Sequence, residues 1–458
     1  MKFVAAALRT QKDDGRIGFS EKLAYGCGGL ADVGISVSMS AYLLFYYTDV
    51  AKVSAVAVGA IFFASRLLGA FFDLLIGLLV DARQSKSGKA RPWILHMSLP
   101  LAVSGVLLFS SPNLPDAGKY AYIFITYTFT NFFLSSLNIP YGALNSLMTQ
   151  NPYERSSLNV FRMVMSLIGT LAVNNCTLPL VKFLGDGKSS WQLAAILYGA
   201  LAVLFYLFTY RFTKERVEQA KSVKKVRIPV REDFRSLLNN KYWFMLFVVA
   251  AASYVLAPVS GGIKIYYAQY VLGSRTLIGL LATANTLPRI AAMFFIAPLV
   301  KHFGKRNAVI AGLAVSAAGI LLQIFNPYSI SMAVAGNLLR GMGNAPITGV
   351  SMAMLADTVE YGYWKSSVHS EGILFSMTNF GKKFGSAVGS ALLPLALAFS
   401  GYVAHTGTPS ASAVDAIKWL YLALPLAVIV FQIAVLSRYK LDREYPEILE
   451  DLNKREAM

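Results

Sequence analysis

Charge is what this chain is short of. Of its 458 residues only 14% are Asp, Glu, Lys or Arg, whereas 55% are hydrophobic. A water-soluble domain of this length needs far more charge to cover its surface, so a soluble globular fold is excluded. Cysteine is nearly missing. Cys27 and Cys176 both lie inside apolar stretches, which excludes a disulfide framework and a thiolate metal site. The four histidines, His96, His302, His369 and His405, are scattered and form no ligand cluster. Acids number 24 against 42 bases, a net charge of +18. The bases fall mostly in short breaks between apolar runs, where they set membrane topology and meet anionic lipid, and they do not point to nucleic acid. The opening MKFVAAALRTQKDDGR has too short an apolar core for a signal peptide and reads as a cytoplasmic tail.

What is there instead is a series of apolar runs, most of them long enough to cross a bilayer of about 30 Å. They cover 21–47, 53–80, 93–111, 120–148, 159–184, 191–212, 242–270, 276–300, 307–325, 329–356, 372–400 and 416–436. Twelve spans put both termini on one side. The basic loop after the second span, with Arg83, Lys86, Lys89 and Arg91, makes that side cytoplasmic. A longer basic loop, 213–241, divides six-span halves at 21–212 and 242–437, with tails at 1–20 and 438–458. LLVDARQSKSGKARPW after the second span and APLVKHFGKRNAV after the eighth form a weak repeat at equivalent places. The pattern predicts an all-α membrane protein of twelve transmembrane helices in two six-helix halves, similar to the major facilitator fold.

Polar residues recur at helical spacing inside several spans. The first carries Tyr25, Gly29, Asp32, Ser36 and Ser40; the fourth Asn131, Ser135, Asn138, Gly142 and Asn145; the fifth Asn159, Arg162, Ser166, Thr170 and Asn174; the eleventh Ser376, Asn379, Lys383, Ser386 and Ser390. Steps of three and four place each set on one face, and lipid cannot satisfy such groups, so the faces turn inward. Small residues among them also let helices pack closely. In the second span Arg66 and Asp73 share a face, about two turns apart. Hydroxyl, amide, carboxylate and cation together suit a hydroxyl-rich ligand such as a sugar. Gly26-Cys27-Gly28-Gly29-Leu30-Ala31 imitates a dinucleotide-binding turn, but no strand precedes it. Pro258 with Gly261 and Gly262 predicts a break or kink in the seventh span. Lys264 and Arg289 are embedded in the second half, either snorkelling or facing a pore.

The motifs that carry a family likeness are Tyr25-Gly26-Cys27-Gly28 followed by Asp32, Phe45-Tyr46-Tyr47-Thr48-Asp49-Val50, Arg66 through Asp73 to Gly77, Ser87-Gly88-Lys89-Ala90-Arg91-Pro92-Trp93, Asn138-Ile139-Pro140-Tyr141-Gly142 and Ala356-Asp357-Thr358-Val359-Glu360-Tyr361-Gly362. Together they resemble the glycoside–pentoside–hexuronide:cation symporter family over nearly the whole chain. The resemblance implies sugar transport coupled to a cation. It places Asp73 at a cation-binding carboxylate, with Ser135 and Arg66 near it, and puts Gly69 where a second carboxylate lies. Arg162 matches a sugar-binding arginine and Lys383 the lysine of the eleventh helix. Asn138 stands where melibiose-carrying members have a sugar-binding Asp, and Gly142 where they have a Trp. Asp32 lies one residue before their first-helix Asp.

The resulting expectation is a secondary active transporter, not an enzyme, importing a glycoside, pentoside or hexuronide by alternating access as a monomer in a bacterial-type inner membrane. Asp32, Asn138, Gly142, Arg162, Asn379 and Lys383 would meet the sugar. No cofactor is expected. With one carboxylate lost at Gly69, a proton is favoured over sodium as the coupling ion, since a hard-cation site draws its strength from carboxylates; sodium at Asp73 is the alternative. An uncoupled facilitator, an exporter or lipid flippase on the same fold, and a sugar sensor that does not transport are the rival readings.

Overall fold

The structure, a computed structural model, describes residues 17–82, 88–217, 237, 239–366, 371–402 and 409–456. Arg83, Lys86, His369, His405, residues 1–16 and most of 213–241 lie outside the described residues. Among the described residues every regular element is helical. The six spans of the first half are Phe19–Phe45 extended by a π-helical turn Tyr46–Val50, Ala55–Ala82, Arg91–Leu108, Asp116–Met148, Pro152–Phe183 and Lys188–Phe212. Those of the second are Lys241–Tyr266 with a π-helical turn Tyr267–Val271, the pair Leu277–Met293 and Ile296–Phe303, Lys305–Phe325, Ile330–Ser366, Glu371–Phe399, and Ala411–Lys418 continued through Trp419–Ala423 into Leu424–Ser437.

By length and apolarity 8 of these helices qualify as membrane-crossing, or 9 with the broken eighth span. The fourth, tenth and eleventh fall short because of the polar residues they carry. Their shortfall marks them as spans that turn toward the interior. Within the second half, spans nine and ten meet backbone to backbone. A Cβ added to Gly312 would stand 2.6 Å from the Gly343 carbonyl, and one on Gly336 would stand 2.4 Å from the Gly319 carbonyl. Small residues permit this approach where lipid gives helices little hydrophobic reason to associate.

Two expectations are corrected. Of the break or kink expected at Pro258 there is no break, since the seventh helix continues through it, and Gly261 and Gly262 bring it against the Ser40 carbonyl of the first span. The eighth span, expected to be continuous, breaks at Phe294 and Phe295 and bends by 60°. Pro298 has no N–H to give the Phe294 carbonyl, and the amides of Phe294 and Phe295 instead close tight turns on Ala291 and Ala292. Beyond the twelfth span, Leu441–Glu456 forms an amphipathic helix that buries Leu441, Ile448 and Leu452 against the second half.

Spans of different halves pack along one another in three pairs: first with seventh, second with eleventh, fifth with eighth. The side-chain contacts between halves run from one face of the molecule to its middle. At that face Asp186 pairs with Arg275. Tyr402 and Tyr270 donate to Asp49 Oδ1 at 2.6 and 3.1 Å, and Thr48 meets Tyr266 at 2.9 Å. At the other face, where the first span begins, the ion pairs Lys22–Glu154 and Lys305–Asp357 each stay within one half, and Arg216 of the central loop pairs with Glu21 of the first span. Among the described residues the halves are thus clamped by side chains at the Asp49 face, and the ion pairs at the face holding Glu21 and Lys305 do not join them.

Candidate functional site

The candidate residues fall into two groups. The first belongs wholly to the first half. Glycine makes it possible: a Cβ on Gly29 would stand 2.8 Å from the Arg162 carbonyl, and one on Gly28 2.5 Å from the Tyr141 ring, so the first span lies directly on the fourth and fifth. Asn138 then donates from Nδ2 to Asp32 Oδ1 at 2.9 Å. Arg162 lays its guanidinium over the Tyr141 ring, 4.6 Å from the centroid, and its charge acts on Asp32. Asp32 is half-buried, so its carboxylate keeps accessible surface beside the Asn138 amide. Gly142 is exposed one turn beyond Asn138, and a Cβ there would meet nothing within 4 Å. The site is therefore open where a stacking ring would fit.

The second group joins the halves. Lys383 Nζ forms an ion pair with Asp73 Oδ2 and donates to the Gly69 carbonyl at 3.3 Å. Asp73 Oδ1 is buried with no hydrogen-bond partner. Arg66, on the face it shares with Asp73, donates to Tyr127 at 3.1 Å and crosses to Ser386 of the eleventh span. Two turns of helix separate Arg66 from Asp73 by about 10 Å along the axis, so each finds its partner elsewhere. Asn379, one turn from Lys383, is exposed and makes no hydrogen bond among the described residues. Ser135 is half-buried on the fourth span and likewise makes none. The structure thus brings together Asp32, Asn138 and Arg162, and separately Asp73 and Lys383.

Sequence reasoning missed Tyr127, which holds Arg66, the Tyr141 ring as the support of Arg162, and Glu215. Tyrosine hides in an apolar run because most of its surface is ring. Glu215 follows the sixth span and accepts from the backbone N–H groups of Lys89, Ala90 and Arg91 at 2.7, 2.9 and 2.9 Å, capping the third span from a distance no sequence pattern reveals.

The twelve helices, paired as two halves around an open polar centre, define a membrane transporter of the major facilitator class rather than an enzyme. The chain belongs to the family described as MFS/sugar transport protein, whose model matches residues 24–443. It is 30% identical over 96% of its length, and 92% of the relative's, to the isoprimeverose transporter of Lactiplantibacillus pentosus. It is also 30% identical to the inner membrane symporter YicJ of Escherichia coli, covering 92% of this chain and 91% of that one. Among solved structures it resembles a D-xylose-proton symporter with a TM-score of 0.64 at 16% identity, covering 92% of this chain and 99% of that one, a likeness of fold.

Proposed function

We propose that the chain imports a sugar or glycoside together with a proton by alternating access, with the two halves rocking about the central site. The observation that carries the sugar reading is the Asp32–Asn138–Arg162 group. A carboxylate, an amide and a guanidinium on one cavity wall can each hold neighbouring hydroxyls in pairs. The names of the isoprimeverose transporter and of the YicJ symporter support the reading, and the latter supports placement in a bacterial inner membrane. The cation-rich face, with Arg91, Arg155, Lys305 and Arg306, is assigned to the cytoplasm.

The coupling group is Asp73, with Lys383 as its partner across the halves. Sodium would need several oxygens around it, and here an ammonium already occupies one side of the carboxylate. The donors do not fit a sodium ion without displacing Lys383. A proton can instead settle on the unpartnered Oδ1 of Asp73. It cancels the charge that holds Lys383, loosening the contact between the second and eleventh spans. Losing the proton restores the pair. Each cycle thus ties one proton to one change in how the halves meet.

The test is uptake of labelled glycosides into proteoliposomes under an imposed pH gradient or an imposed sodium gradient. Accumulation should follow the pH gradient in the wild type and vanish in Asp73→Asn. Accumulation driven by sodium alone overturns proton coupling, and retained accumulation by Asp73→Asn removes Asp73 from the mechanism.

A further inference from the structure

The second half contains a set of positive charges with no anionic partner among the described residues. Between Asp233 and Asp357 the sequence has no Asp or Glu at all. Within that interval three cations lie away from the span ends in membrane-spanning helices: Lys264 in the seventh, Arg289 in the eighth and Arg340 in the tenth. Spans seven, eight and ten pack on one another, which sets the three on neighbouring helices. Tyr267, one turn from Lys264, stacks on Tyr421 with ring centroids 4.0 Å apart, and the Arg340 guanidinium lies 5.0 Å from the centroid of the same Tyr421 ring. Span eight meets span ten where a Cβ on Gly341 would stand 2.0 Å from the Asn285 carbonyl, one turn before Arg289. The charges that act on Lys264 are those of Arg340 and Arg289, both repulsive.

None of the three has an anionic partner among the described residues. Arg340 is buried and donates to Gln323 Oε1 at 3.3 Å, a neutral acceptor. Arg289 Nε is buried without any hydrogen-bond partner. Lys264 makes no hydrogen bond or ion pair among the described residues. Lys264 and Arg289 are half-buried, as Asp32 is, so each keeps some surface that a ligand can reach. Unpaired cations held this deep are costly, and clustering them adds repulsion. Snorkelling would relieve one long side chain, but it does not explain three converging from different helices. The arrangement is stabilised when a bound anion supplies the missing charge.

We infer that Lys264, Arg289 and Arg340 form an oxyanion subsite in the second half, which takes a carboxylate or sulfonate carried by the transported sugar while the Asp32–Asn138–Arg162 wall holds its hydroxyls. This rests on the sugar-transport reading above. It divides recognition between the halves: hydroxyls on the first, charge on the second. A ligand that bridges the two gives each half a reason to close on it, since the cations are compensated only when the anion is seated.

The test is binding to purified protein, by calorimetry, of methyl β-D-glucuronide against methyl β-D-glucoside, with a 6-sulfo analogue of the glucoside as a third probe. In the wild type the acidic probes should bind at least tenfold tighter than the neutral one. The sulfo arm decides between carboxylate and sulfonate by which of the two binds better. Arg289→Gln and Lys264→Gln should each weaken the acidic probes about tenfold and leave the glucoside within twofold, and Arg289→Lys should recover part of the loss. Equal affinity of glucuronide and glucoside in the wild type overturns the subsite, as does a loss in Arg289→Gln that is the same for both. Binding of the neutral probe alone overturns the subsite and leaves sugar transport standing. If folded protein binds none of the three and transports no glycoside, the sugar reading itself falls and the subsite with it.

Discussion

Lys383 of the eleventh span is ion-paired with Asp73 of the second, a contact that joins the two halves. Its two side chains keep 35% and 27% of their surface exposed, so water reaches the pair and its strength is moderate. A contact of that kind can break and re-form during a transport cycle. Lys383→Gln should therefore leave the protein folded and able to exchange sugar down its gradient, while concentrative uptake drops at least tenfold. Counterflow and gradient-driven uptake measured on the same vesicles separate the two, and loss of both together would make Lys383 a structural residue only.

The wall of the first half should show in affinity. Asp32→Ala and Arg162→Ala each remove a charged hydrogen-bonding group, worth on the order of 2 kcal/mol or more and over tenfold in affinity. Asn138→Ala should cost less, roughly threefold to tenfold, since it removes a neutral amide that holds Asp32 in place. Calorimetric titration with the best substrate found by uptake measures all three. Unchanged affinity in Asp32→Ala would place the sugar elsewhere.

Two glycines should respond in opposite ways. Gly142→Trp points a ring into open space, so the protein should fold with its thermal midpoint nearly unchanged, and its order of preference among glycosides should alter. Gly341→Ala drives a methyl to 2.0 Å from the Asn285 carbonyl, backbone against backbone. Overpacking of this kind costs about 1–3 kcal/mol or more, and expression and thermal midpoint should fall. Thermal melts of the two variants in detergent, read beside uptake, check both.

Glu215 is a structural expectation outside the site. Glu215→Ala strips three backbone N–H groups at the start of the third span of their acceptor. A stability loss of about 2 kcal/mol is expected, with Glu215→Gln between the wild type and Ala. Gly88→Ala should be as damaging, because Gly88 has a φ of +104° and its Cβ would stand 2.5 Å from the Glu215 carboxyl carbon. Melting curves compare all three.

The clamp at the opposite face gives a last expectation. Tyr402→Phe with Asp49→Asn removes the bond of 2.6 Å between the eleventh-span end and the first. The balance should shift toward the state open at that face. A cysteine introduced at Ser40 should then react faster with a membrane-impermeant maleimide added from that side. An unchanged rate would mean that the clamp is held by packing, through Gly261 against the Ser40 carbonyl, and not by these hydroxyls.

The sequence by itself determined the solvent, the number of spans, their division into halves and the faces that turn inward. Each of these is a local or periodic property: apolar length must match bilayer thickness, and a polar group three or four residues from another shares its face. It also marked Asp32, Asn138, Arg162, Asp73 and Lys383, because a charge or amide inside an apolar run stands out. What it left undecided was which of these meet. Arg66 and Asp73 share a helix face and still take their partners from other spans, because two turns of helix hold them too far apart. Pro258 bends the pattern on paper but leaves its helix whole, while Pro298 breaks one, since its missing N–H falls where the Phe294 carbonyl needs a donor. The convergence of Lys264, Arg289 and Arg340 belongs to the tertiary structure alone. Three residues on three helices, scattered over the second half, become one electrostatic feature only when packing sets the helices side by side.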